Sequence, residues 1–372
     1  MNRVLSSLVV LVVPVLSSCG SKGDSGGLCN GTCSWDATIE QVSDLEATAR
    51  CEHISGGLAL DGENWLAILE LPCLASVEDA LLIHDNDSLT DINLPLLDST
   101  GSSLDIHYNS DLVGIDLPSL GSVGDFLDIH YNTALAGFEL PVLASVGGYL
   151  DIQYNNSLSD FGLPILASVE GYLDINTNAS LVTVELPHLT AVGEHLTIFY
   201  NDALTDITLP LLVSVGVDVY LHGNAALTDL DLSGLESVGG YLDIHYNTAL
   251  TDLQLPSLTS VGDYLEIHYN DALTDLDLSG LESVEGTLDI HYNISLTQID
   301  LPRLASVDGD LIISSNTSLH RIEGLSSLSF VGGNLEIKDN NALCQSEAEA
   351  LVADIEVAGM VTVSGNSGEC DG

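Results

Sequence analysis

The feature that most constrains this chain is a fixed repeat of asparagine. Asn86, Asn109, Asn132, Asn155, Asn178, Asn201, Asn224, Asn247, Asn270, Asn293 and Asn316 recur at a constant step, 109 − 86 = 23, and Asn340 follows after one extra residue. A copy without the asparagine begins at Leu58. There Leu58, Leu60, Leu66, Leu69, Leu71 and Pro72 lie one period before Leu81, Ile83, Leu89, Ile92, Leu94 and Pro95. That makes about thirteen rungs. A fixed period in the twenties marks a solenoid, whose repeats cannot bury an apolar face alone and are covered by their neighbours.

One rung, residues 242–264, shows what kind of solenoid this is. Leu242 and Ile244 alternate with Asp243 and His245, the two-residue period of a strand with one buried face. A second alternation runs Leu250, Leu253, Leu255 to Pro256, and a third group, Leu258 with Val261, leads to Gly262. The asparagine opens the first corner, Pro256 removes a donor at the second, and Gly262 suits a positive φ at the third. No rung holds ten residues of helical periodicity, so three short strands per turn, stacked in parallel, fit better than a helix per repeat. The asparagine amides are expected to point inward, stacked about 4.8 Å apart and satisfying the corner backbone. Asn86, Asn155, Asn178, Asn293 and Asn316 fall in N-x-S/T patterns, yet inward-facing side chains cannot carry glycans.

The run LxIxxNxxLxxLxLPxLxSVGG, clearest in residues 127–148 and 242–262, resembles the receptor L-domain family of the insulin and epidermal growth factor receptor ectodomains. It is more similar still to the related repeats of fungal cell-wall proteins and bacterial surface lipoproteins. The likeness covers about residues 56–343. It implies a right-handed parallel β-helix-like solenoid, all-β, with a non-enzymatic surface role, and it transfers no ligand residue. Receptor L-domains are shorter and are paired with cysteine-rich modules that this chain lacks.

The ends have their own composition. Residues 1–18 read as a signal peptide, with Arg3, an apolar core and Leu16-Ser17-Ser18 before Cys19. Resemblance to bacterial lipoproteins implies cleavage before Cys19 and lipidation of it, with Gly20 pointing to the outer membrane; an ordinary signal peptide or weak anchor is the alternative. Residues 19–28 form a Gly/Ser-rich flexible tether. Of seven cysteines, removing Cys19 leaves 7 − 1 = 6, namely Cys29, Cys33, Cys51, Cys73, Cys344 and Cys370. An even set at the two ends suggests capping disulfides in an oxidising space, Cys344 with Cys370 and the other four among themselves. A zinc site at Cys29, Cys33, Cys51 and His53 is the alternative. Residues 29–55 are then the N-terminal cap, 56–340 the solenoid and 341–372 the C-terminal cap. In the last, Ser346 to Glu349 reads as a capping box, with a helix through Leu351, Ile355 and Val357 that Gly359 ends.

Six Lys plus Arg against 55 Asp plus Glu give a net charge of −49. Nucleic acid is excluded as a partner, because phosphates demand clustered cations. Anionic lipid and anionic polysaccharide are unfavourable except through a bridging dication. The charge by itself is accounted for by solubility.

The outward residues of the first strand form columns. The acidic column holds Asp105, Asp128, Asp151, Asp174, Asp243, Glu266 and Asp289, and the next holds His84, His107, His130, His222, His245, His268 and His291. Tyr108, Tyr131, Tyr154, Tyr200, Tyr246, Tyr269 and Tyr292 follow. These columns are either a surface copied by duplication, or a site at which imidazoles share Zn²⁺ or Cu²⁺ and carboxylates bridge Ca²⁺. Coupled protonation of the histidines is a third expectation. In the middle rungs Asn176, Thr177, Phe199, Tyr220 and Gly223 break the columns, and Phe199 with Tyr200, Tyr220 and Asn176 suggests an aromatic platform for a sugar or protein partner. Catalysis is disfavoured: the acids look equivalent rung by rung, with no long loop breaking the frame between Leu58 and Leu311. The expectation is an exported, lipid-anchored, non-enzymatic protein that binds or scaffolds a protein or glycan at the cell surface. A dication-binding protein, a structural spacer and a polysaccharide-active enzyme are the alternatives.

Overall fold

The computed structural model describes residues 29, 31–34 and 36–370. The expected signal peptide 1–18, lipidated Cys19 and tether lie outside the described residues. The chain is an all-β parallel solenoid of about fourteen turns. It divides into two units, the first ending at Gly171 with Thr177–Leu181 added, the second comprising Tyr172–Asn176 and the chain from Val182 onward.

Between Leu58 and Val331 each turn contributes a strand of four residues, one of three and one of two. Leu242–His245, Asp252–Gln254 and Ser260–Val261 are one such set. Each strand pairs in parallel with its equivalent one period on, as Leu242 with Leu265 and His245 with His268. Parity then decides burial. Leu242, Ile244, Leu250, Leu253, Leu255, Leu258 and Val261 are all fully buried, and so is Asn247.

The asparagines bind one rung to the next. The Asn247 Oδ1 accepts the Asn224 N–H at 3.2 Å, and its Nδ2 donates to the Leu221 carbonyl at 2.8 Å. Asn109 makes the same two bonds in the first unit, to the Asn86 N–H and the Ile83 carbonyl. The ladder goes one step past Asn340, to Asn366, whose Oδ1 accepts the Asn340 N–H at 3.2 Å.

Two corner assignments are corrected. Gly262 does not have a positive φ; it is small because a Cβ there would come 2.1 Å from the Gly239 carbonyl oxygen of the rung beneath. The left-handed residue is the one before each asparagine. Tyr108, Tyr131, Tyr154, Tyr200, Tyr246, Tyr269 and Tyr292 take φ of 52–55°, where Gly62, Gly223 and Gly365 stand in other rungs.

The caps add strands at both ends of the two fifteen-stranded sheets. Thr32–Cys33 and Ala37–Thr38 pair with His53–Ile54 and Leu58–Asp61, and helix α1, Val42–Thr48, stands between them. Disulfides join Cys29 to Cys73 and Cys33 to Cys51, so these cysteines are not zinc ligands. At the other end Cys344 is joined to Cys370. Helix α2 is shorter than its sequence pattern predicts, Gln345–Leu351, with Cys344 as an N-cap that makes no side-chain capping bond. Ser346 is not the cap; its hydroxyl lies 3.2 Å from the Cys344 sulfur. Val357 belongs to a strand paired with Val331, because sheet pairing with the previous turn outweighs one more helical turn.

Candidate functional site

The outward face of the four-residue strands carries the chemistry. Because side chains alternate, the residue before the strand shares this face with its second and fourth residues. Tyr241, Asp243 and His245 therefore lie in one row, and Tyr264, Glu266 and His268 in the next. The sequence reading missed the first column, although the same two-residue step extended one position upstream marks it. Phe126 stacks on Tyr149 at 4.6 Å, and Tyr241 on Tyr264 at 5.0 Å.

A second departure lies in the acidic column. Two of the acidic residues are buried: Asp128 is 9% and Asp151 6% exposed, Asp128 bonded to the His130 ring and Asp151 accepting from the Gln153 amide at 2.5 Å. Burial, then the charges of Asp128, Asp105, Asp151 and Asp125, push the Tyr149 phenol up to about 12. Burial and the charges of Asp243 and Asp289 raise the Glu266 carboxyl.

The histidines stack flat. His84, His107 and His130 are 4.9 and 4.7 Å apart in the first unit. Phe199, His222, His245, His268 and His291 continue at 4.9, 4.5, 4.6 and 4.6 Å in the second. Most rings are held by the carboxylate two residues earlier. The Nδ1–H donates to Asp105 from His107, to Asp128 from His130, to Asp243 from His245 at 2.5 Å and to Asp289 from His291 at 2.7 Å. Such backing fixes the neutral tautomer with the Nε2 lone pair outward, the arrangement usual in metal-ligating histidines. Among the described residues, three groups bring ligand atoms within 4.8 Å of one another: His84, Asp85 and His107; Asp105, His107 and His130; and Asp243, His245 and His268.

The ladder titrates unevenly. Burial would lower His107, but the hydrogen bond and charge of Asp105, with Asp128 and Asp85, raise it. His268 is pushed down to about 4 by burial first, then by His291 and His245. Burial and the His245 charge also lower His222. An NMR titration is expected to place His107 above 6.5 and His268 well below it. The two then act oppositely on stability. The His107 contribution is present below pH 6.5 and fades as pH rises through its folded value, whereas that of His268 is present above 6.5 and fades as pH falls toward 4. Two coincident midpoints near 6.5 would refute this.

Asn176, Phe199 and Tyr220 share the outward face of neighbouring strands, each engaged with a neighbour. Asn176 is buried, its Nδ2 donating to Asp174 Oδ1 at 2.6 Å. Phe199 gives one face to His222 and an edge contact to Tyr200, and Tyr220 turns its hydroxyl to Asp218 at 3.2 Å. Among the described residues, the most exposed aromatic residues are tyrosines before the asparagines. Tyr108, Tyr200, Tyr246 and Tyr292 are 44–56% exposed. Tyr108, Tyr131 and Tyr154 stack at 4.8 and 4.4 Å, and Tyr246, Tyr269 and Tyr292 at 4.9 Å each.

No family model and no curated protein matches the chain. Among solved structures it is similar to a leucine-rich repeat protein from Bacteroides ovatus, at 16% identity over 76% of this chain and 87% of that one, with a TM-score of 0.34. It is also similar to a TLR13–ssRNA13 complex, at 15% identity over 90% and 78%, with a TM-score of 0.16.

Proposed function

We propose that this is an exported surface protein, lipid-anchored through Cys19 at a bacterial outer membrane, which binds a protein partner along the tyrosine rim of its second unit and catalyses nothing. The receptor L-domain character of the repeat supports a surface-binding role, and residues 1–19 support the anchor. One observation carries the binding face. Seven tyrosines occupy a corner whose backbone favours glycine. A left-handed L-residue costs about 1–2 kcal/mol, and each stacked aromatic pair returns about 0.5–1.5 kcal/mol. The fold is therefore nearly indifferent to tyrosine here, which leaves the residue type to be set by what lies outside.

The kind of partner follows from the stacking. Ring faces within each run are covered by the next tyrosine, so edges and hydroxyls are what is offered. Those suit hydrogen bonding to a protein surface better than stacking on a sugar ring. A net charge of −49 favours a basic partner.

Asparagine tolerates the left-handed region, so Tyr246→Asn, Tyr269→Asn and Tyr292→Asn together should change unfolding free energy by no more than about 1 kcal/mol. The same variant should abolish partner capture. A photo-crosslinking side chain at Tyr246 on intact cells should yield a discrete adduct in the otherwise wild-type protein. If positions 200, 246 and 292 all give no adduct, the protein is a passive spacer.

A further inference from the structure

Within the second unit, Asp243, Glu266 and Asp289 lie in register on adjacent strands. Only the middle one is a glutamate, and only there does the histidine turn the other way. The His268 Nε2 faces two carboxylates, 3.8 Å from Asp243 Oδ1 and 3.9 Å from Glu266 Oε2. Those separations are too long for hydrogen bonds. They match two ligands placed about 2.0–2.2 Å from a shared ion.

The ring is unsatisfied as it stands. Its Nδ1 is buried and has no hydrogen-bond partner among the described residues. With the proton on Nδ1, the Nε2 lone pair faces two anions; with the proton on Nε2, no acceptor is within reach. A dication at Nε2 takes up the lone pair and neutralises the carboxylates together, while Nδ1 stays without a partner whether or not the ion is bound, so the case for the ion rests on the Nε2 geometry. Asp243 is already oriented, since its Oδ1 accepts the His245 Nδ1–H at 2.5 Å. Glu266, 35% exposed, leaves an entry path and open positions for water.

We propose that His268 Nε2, Asp243 and Glu266 form a binding site for a first-row transition-metal dication such as Zn²⁺. An imidazole donor selects Zn²⁺ over Mg²⁺ and Ca²⁺. The first unit supplies the comparison. His107 and His130 give their Nδ1–H to Asp105 and Asp128, so there each carboxylate is engaged by the histidine of its own strand.

The test is dialysis of the full chain against Zn²⁺ at physiological salt with Mg²⁺ in excess, followed by metal analysis and calorimetry. Wild type should retain a zinc ion that His268→Asn and Glu266→Gln each lose, with affinity falling at least about tenfold, while His107→Asn retains it. Zinc, but not calcium, should shift the His268 imidazole signals in the wild-type NMR spectrum, a readout independent of how the variants fold. The site is refuted if wild type retains no zinc, if well-folded His268→Asn and Glu266→Gln bind it unchanged, or if the His268 signals do not move.

Discussion

Asn247→Leu should destabilise the protein by about 3 kcal/mol, far more than its change in size suggests. Leucine fits the volume, but it removes both side-chain bonds. The Asn224 N–H and the Leu221 carbonyl lose partners at 3.2 and 2.8 Å in a corner with no exposed surface. Each orphaned buried group costs about 1–3 kcal/mol. Each rung depends on its neighbours, so the loss is felt by the rungs on both sides. The same change at Asn366, in the last turn, should cost less, because water can reach groups at the end of the ladder. Urea unfolding of both variants decides the matter, and an Asn247→Leu midpoint equal to wild type would remove the ladder as a main support.

That the asparagines face inward was legible because a constant step with strand parity on either side fixes both register and face. The aspartate, histidine and tyrosine columns follow from the same step. Other features were hidden because they depend on contact between rungs. Gly262 reads as a turn residue, yet its smallness answers the Gly239 carbonyl one turn away. The tyrosine before seven of the asparagines carries no sign of a left-handed backbone, since nothing in its chemistry favours one. The burial of Asp128 and Asp151 is not marked by the period, because the position two residues before the aspartate is Phe126 in one rung and Tyr149 in the next. Asn366 escaped the period because helix α2 replaces the three-residue strand and lengthens the step to 26 residues. The orientation of the His268 ring, on which the proposed zinc site depends, is beyond any reading of spacing.

Secretion through a host that glycosylates N-x-S/T sites should fail for the wild-type chain, although the same chain folds in a host that does not. Glycans are attached as the chain is translocated, before burial can protect the acceptor. Asn86, Asn155, Asn178, Asn293 and Asn316 all meet the pattern, and all are 0% exposed in the folded protein. A glycosylated amide cannot enter that ladder: the sugar has no volume to occupy, and burying its hydroxyls unpaired costs several kcal/mol at each site, on the order of the whole stability of a domain when summed. Replacing Ser88, Ser157, Ser180, Ser295 and Ser318 by alanine removes the five acceptor sites without touching an asparagine. The loss is small, since the bonds Ser157 and Ser180 make to the Thr133 and Asn156 carbonyls are exposed. Asn30-Gly31-Thr32 remains in both chains as an acceptor. The serine variant should be secreted, soluble and β-rich by circular dichroism, with wild type retained in the cell. Wild type secreted at equal yield, with glycans on the ladder asparagines and a native spectrum, would mean that those side chains do not hold the rungs together.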